Sequence, residues 1–126
     1  MNIKYINTII FVENIEISKK FYNQVLNQKI INDYGPYIVF ENNFAIHEAK
    51  SFFDNLYNKN DSNHNKSQGM ENLLINFQCK NLESIFKKVE ESKAKIIHPI
   101  KTQSWGQKVF RFCDPDGHIV EIGEPH

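Results

Sequence analysis

Two side chains stand out for the chemistry they could do. Glu121 lies in Ile119-Val120-Glu121-Ile122, an otherwise apolar run in which strand alternation puts the carboxylate on the face opposite Val120 and Ile122. An inward carboxylate must be ion-paired, protonated or metal-bound, so Glu121 is a candidate metal ligand, general base or ligand contact. His47, whose imidazole can donate or accept a hydrogen bond, lies in a second strand-like run. The structural alternatives are equally concrete: a Glu121–His47 pair, or His47 hydrogen-bonded to Asn7 or to the backbone. Trp105, the single tryptophan, precedes Gly106 at a strand entry, where an indole either stacks on a planar ligand or closes a sheet edge. His98 beside a proline, His118 in a turn and His64 in an Asn-rich stretch read as solvated side chains. Cys79 and Cys113 are too far apart for a CxxC redox pair or a zinc knuckle and read as ordinary buried thiols.

The elements that must position these residues occur twice. Residues 3–12 read as a strand, and Asn14 caps a helix with apolar spacing through Ile15, Ser18, Tyr22, Val25 and Leu26. Three short strands follow, Lys29–Tyr34, Tyr37–Glu41 and Phe44–Ala49, punctuated by Gly35-Pro36 and Asn42-Asn43. Residues 51–69 turn polar and read as a linker or surface loop, although Phe52, Phe53, Leu56 and Tyr57 could make one amphipathic turn before the Asn-rich 58–65. The order then recurs: a strand Asn72–Cys79, a helix from Asn81 with Leu82, Ile85, Phe86 and Val89 on one face, and strands near Lys95–His98, Lys108–Cys113 and His118–Gly123.

The repeat survives residue matching. A shift of 67 carries Asn14-Ile15-Glu16 onto Asn81-Leu82-Glu83, and a shift of 74 carries His47 onto Glu121. A lone β-α-β-β-β unit is too small to close a core around its sheet. The expected fold is therefore α+β: two tandem modules whose curved mixed sheets form a half-barrel cavity. Residues 1–126 then make a single domain, with the first module over roughly 1–50, the linker over 51–69 and the second module over 70–126.

Composition narrows the function. The 126 residues carry 15 basic and 15 acidic side chains, so no broad positive field favours nucleic acid or an anionic membrane. No apolar run approaches the roughly 18 residues of a bilayer span, and the first residues lack a secretory h-region, so the expectation is a cytoplasmic protein.

Val12-Glu13-Asn14-Ile15 with Ser18 and Phe21-Tyr22, together with Trp105-Gly106-Gln107 and the run from Phe110 to Glu121 through Asp114-Pro115-Asp116-Gly117, resemble the vicinal oxygen chelate superfamily. That superfamily includes glyoxalase I, extradiol dioxygenases, fosfomycin-resistance thiol transferases and bleomycin-resistance proteins. Its catalytic members hold one divalent metal on inward side chains of the first and last strands of each module. Carried over residue by residue, the first-strand positions are Asn7 and Leu74 and the last-strand positions are His47 and Glu121. Leu74 offers no donor and Asn7 only a neutral amide oxygen, so His47 and Glu121 are the metal-competent pair. The resemblance implies a homodimer that binds a small organic molecule, with Asn7, Phe11, Leu74 and Trp105 as ligand contacts. Where a cofactor is held, the resemblance implies one divalent ion (zinc, nickel, manganese or iron). The alternative it implies is a metal-dependent lyase or isomerase of the glyoxalase I type, with Glu121 as the catalytic residue.

Overall fold

The computed structural model describes residues 1–57, 69 and 71–126. They fall into two compact units, Met1–Gln68 and Gly69–His126. The Asn-rich stretch 58–65, with His64, lies outside the described residues.

In the first unit, β1 (Thr8–Val12) is followed by α1 (Ile15–Lys20), β2 (Ile30–Asp33), β3 (Tyr37–Phe40), β4 (Phe44–Glu48) and α2 (Ala49–Tyr57). In the second, β5 (Leu74–Gln78) leads to α3 (Leu82–Glu91), β6 (Ile96–Thr102), β7 (Lys108–Cys113) and β8 (Ile119–Gly123). The sheets have the same topology, β1-β4-β3-β2 and β5-β8-β7-β6, with the first strand of each parallel to the last and the other pairs antiparallel. Neither sheet closes on itself. The two repeated α+β modules expected from the sequence are the fold.

One face of each sheet is the core. Ile10, Val12, Ile38, Phe40 and Ile46 are buried beneath α1 and its continuation. Asn14 starts that helix by accepting the Ile17 N–H at 3.1 Å, and Glu16 near its beginning with Lys19 and Lys20 near its end complement the helix dipole. The helix then widens into a π-helical turn, Phe21–Val25, which seats the Tyr22 ring 5.0 Å from Phe44 and 6.1 Å from Phe40. In the second unit Phe110, Phe112, Val120 and Ile122 form the matching face, and Phe86 of α3 meets Phe110 edge-on at 5.0 Å.

Four expectations are corrected. The first strand starts at Thr8 rather than Ile3, because its partner β4 begins at Phe44 and leaves residues upstream of Thr8 without a ladder; Ile3, Tyr5 and Ile6 are exposed. The start of the expected linker is α2, a stretch free of Gly and Pro with a Lys50–Asp54 ion pair one turn apart at 2.7 Å. β6 runs on to Thr102 through Pro99, which is tolerated because β6 is an edge strand with register shifts on both sides of His98. Cys79 and Cys113 are free but half-buried rather than buried.

Candidate functional site

The second face of each sheet carries the polar and aromatic groups. In the C-terminal module Asn76 stands opposite Glu121, Glu121 opposite Arg111, and Arg111 opposite His98, so one polar row crosses all four strands. Alternation dictates it: Arg111 lies between Phe110 and Phe112, whose rings fill the core face, and so it must point the other way. Arg111 Nε donates to Glu121 Oε1 at 2.8 Å, and Glu121 is only 7% exposed. Arg111 Nη1 lies 3.2 Å from His98 Nε2, and Nη2 donates to Gln103 Oε1 at 3.4 Å. His98 Nδ1 is 2.8 Å from the Pro99 carbonyl oxygen. Because a guanidinium has no acceptor, His98 accepts at Nε2 and donates from Nδ1.

His98 was expected to be solvated and instead belongs to this row. Arg111 and Gln103 were not singled out in the sequence. The signal for Arg111 was present: the DPDG turn sets the β7–β8 register, and that register puts a cation between two phenylalanines directly across from Glu121. Trp105 is 52% exposed, with Nε1 donating to Gln107 Oε1 at 2.9 Å, while Gln107 Nε2 donates to the Glu124 carbonyl at 2.7 Å. Leu74 is also exposed and stands opposite Ile119.

The matching face of the N-terminal module is aromatic. The ladder places Phe11 beside His47 and His47 beside Tyr37. The Tyr37 ring stacks on His47 at 5.5 Å, Phe52 of α2 meets His47 edge-on at 5.3 Å, and Phe11 lies 4.8 Å and 4.9 Å from Phe52 and Phe53. Asn7 Nδ2 donates to the Tyr37 hydroxyl at 3.2 Å, and His47 Nδ1 lies 2.9 Å from the Glu48 carbonyl oxygen. The ladder also refines the internal repeat: Leu74, opposite Ile119, has Ile9, opposite Ala45, as its positional counterpart in the sheet, two residues beyond Asn7.

A third cluster lies in the turn after β7. Asp114 Oδ1 accepts the backbone N–H of both Asp116 and His118 at 2.9 Å, and Asp114 Oδ2 lies 2.8 Å from His118 Nδ1. Gly117 supplies φ +95° for the return of the chain. His118, expected to be solvated, is 5% exposed and locked to Asp114. The ligand atoms of Asp114, Asp116 and His118 lie within 4.8 Å of one another, the one such group among the described residues with the types and spacing to hold a cation.

The four positions implied by the resemblance do not fit a divalent ion. Leu74 has no donor atom, Asn7 offers only a neutral amide oxygen, a weak ligand for such an ion, and Glu121 is ion-paired to Arg111. A guanidinium already bound to the ligand carboxylate opposes the charge of an incoming metal.

A family model described as Glyoxalase-like domain matches residues 5–126. The chain belongs to that family. This glyoxalase-like chain is similar over its full length to a protein of unknown function from Agrobacterium tumefaciens str. C58, with 36% identity, 97% of that chain covered and a TM-score of 0.89. It shares its fold with a lactoylglutathione lyase from Agrobacterium tumefaciens, at 14% identity over 94% of this chain and 91% of that one, with a TM-score of 0.70. The same holds for the genomically encoded fosfomycin resistance protein FosX of Listeria monocytogenes, at 15% identity over 100% and 96% of the two chains, with a TM-score of 0.73. Neighbours from the glyoxalase/bleomycin resistance/dioxygenase superfamily place the glyoxalase-like fold where the sequence resemblance put it. Among curated proteins nothing matches the chain. No helix among its described residues is long and apolar enough to cross a membrane.

Proposed function

We propose that this glyoxalase-like protein binds a small organic molecule and runs no metal chemistry through Glu121. The observation that carries the reading is the 2.8 Å Arg111–Glu121 ion pair, which commits the carboxylate to an internal cation. In the N-terminal module Asn7, Phe11 and His47 supply a polar and aromatic contact surface; in the C-terminal module Leu74 and Trp105 supply apolar contact. Exposure of Trp105 and Leu74 supports their role as contacts rather than core. In this reading the two modules act as one domain, in a cytoplasmic homodimer that sedimentation and fractionation would test.

The experiment is calorimetric titration of chelator-stripped protein with zinc, nickel, manganese and anaerobic ferrous iron, repeated with Glu121→Ala and Asp116→Asn. The expected result is no stoichiometric binding that depends on Glu121. Micromolar or tighter binding lost in Glu121→Ala would overturn the reading in favour of a metal-dependent lyase or isomerase. Binding lost only in Asp116→Asn would place the ion on the turn and leave the reading intact.

A further inference from the structure

Gln103 presents an unexplained polar atom. Its Nε2 is buried and finds no partner among the described residues. Its orientation is set by Arg111: the side-chain oxygen faces the guanidinium Nη2, and turning the amide over would place donor against donor. The N–H groups of Gln103 are thus held away from Arg111, desolvated and unmatched, an arrangement that costs stability unless something accepts from them.

Arg111 adds to the same donor set. Three of its donor groups are engaged, by Glu121, His98 and Gln103, and these contacts hold the guanidinium in place. A guanidinium has five N–H donors, so among the described residues one N–H on each terminal nitrogen is left without a partner. The side chain is 27% exposed and therefore accessible. The charges of the cluster are balanced: Arg111 is paired with Glu121, and His98, accepting at Nε2, is neutral. A full negative charge brought here would compete with the Glu121 carboxylate for one guanidinium, whereas a neutral carbonyl oxygen would accept hydrogen bonds without that conflict.

We propose that Arg111 and Gln103 form a recognition site for the carbonyl oxygen of a neutral ligand, an amide or a ketone, in the C-terminal module. This deepens the small-molecule reading and rests on it. Gln103 Nε2 and the terminal nitrogens of Arg111 donate to the carbonyl; Glu121 and His98 touch Arg111 and act as positioning residues.

The test compares benzamide with benzoate, which share a ring and differ in the charge of the acceptor. Each is titrated at millimolar concentration into the full-length protein, while NMR follows the side-chain resonances of Gln103 Nε2 and Arg111 Nε. Benzamide is expected to shift both, and benzoate to bind about five-fold or more weakly. Gln103→Leu, which removes the orphan donor and leaves the ion pair, is expected to abolish the benzamide response while keeping the fold. Arg111→Met combined with Glu121→Gln, which avoids stranding a buried charge, should abolish it as well. Absence of shifts at Gln103 and Arg111, an equal response to benzoate, or an undiminished benzamide response in Gln103→Leu would each overturn the proposal. Benzamide that quenches Trp105 fluorescence without moving Gln103 or Arg111 would overturn this inference alone and leave the small-molecule reading standing.

Discussion

Arg111 and Glu121 face each other across the β7–β8 ladder, joined Nε to Oε1 at 2.8 Å with the carboxylate almost wholly buried. Removing one partner strands the other charge. Arg111→Met alone should therefore destabilise the protein by about 3–5 kcal/mol, and adding Glu121→Gln should recover a large part of that loss. Urea unfolding of the two single variants and the double variant measures the coupling; additive losses would show that the pair does not act as a unit.

The turn after β7 depends on Asp114. Its carboxylate accepts two backbone N–H groups and contacts His118. Asp114→Ala leaves the buried His118 N–H and the half-buried Asp116 N–H unmatched and should cost about 2–4 kcal/mol, whereas Asp114→Asn, which keeps one acceptor oxygen, should cost less. Equal losses would argue that packing rather than hydrogen bonding holds the turn.

Phe11 docks α2 through Phe52 and Phe53. Phe11→Ala should release that helix, raising amide exchange over residues 49–57 while the β6–β7–β8 ladder stays protected. The loss of aromatic contact is worth about 0.5–1.5 kcal/mol per pair. Unchanged exchange in α2 would show that its own propensity suffices.

At the surface, Lys19 Nζ and Asp33 Oδ2 are 2.7 Å apart. The hydrogen bond from Lys19, with a second from the Gly35 N–H, holds the Asp33 carboxyl below its ordinary value of 3.8. A carboxylate depressed in the folded state adds stability above its unfolded value, and that contribution fades as pH falls through the folded value. The difference in melting temperature between wild type and Asp33→Asn should therefore be present at pH 5 and above and shrink as the pH is taken below about 4. A pH-independent difference would refute the linkage.

Trp105 is the sole tryptophan and half-exposed, so ligand binding can be read from its emission. Trp105→Ala should weaken an aromatic ligand by roughly 1 kcal/mol, about five-fold, if the indole stacks on it. An unchanged affinity would remove Trp105 from the contact surface.

The β-α-β-β-β order, its recurrence and the DPDG turn were legible in the sequence, because periodicity, caps and turn residues act over a few neighbours in the chain. Asn14 as a cap needed nothing beyond its immediate context. The strand start at Thr8 was not legible, since it depends on where β4 begins, some thirty-five residues downstream. Nor was α2: its phenylalanines have an apolar surface to pack on only once Phe11 and His47 are side by side.

The site divides the same way. Alternation along β8 was enough to single out Glu121 as an inward carboxylate needing a partner. Which partner it takes was decided by the β7–β8 register, which sets Arg111 against it, and by the edge strand β6, which brings His98 alongside. His118 passed for a solvated turn residue until the chain folded back onto Asp114. Local sequence determines which groups are awkward to bury; the ladder decides which groups meet, because hydrogen-bonded register couples residues whose separation along the chain carries no pattern of its own.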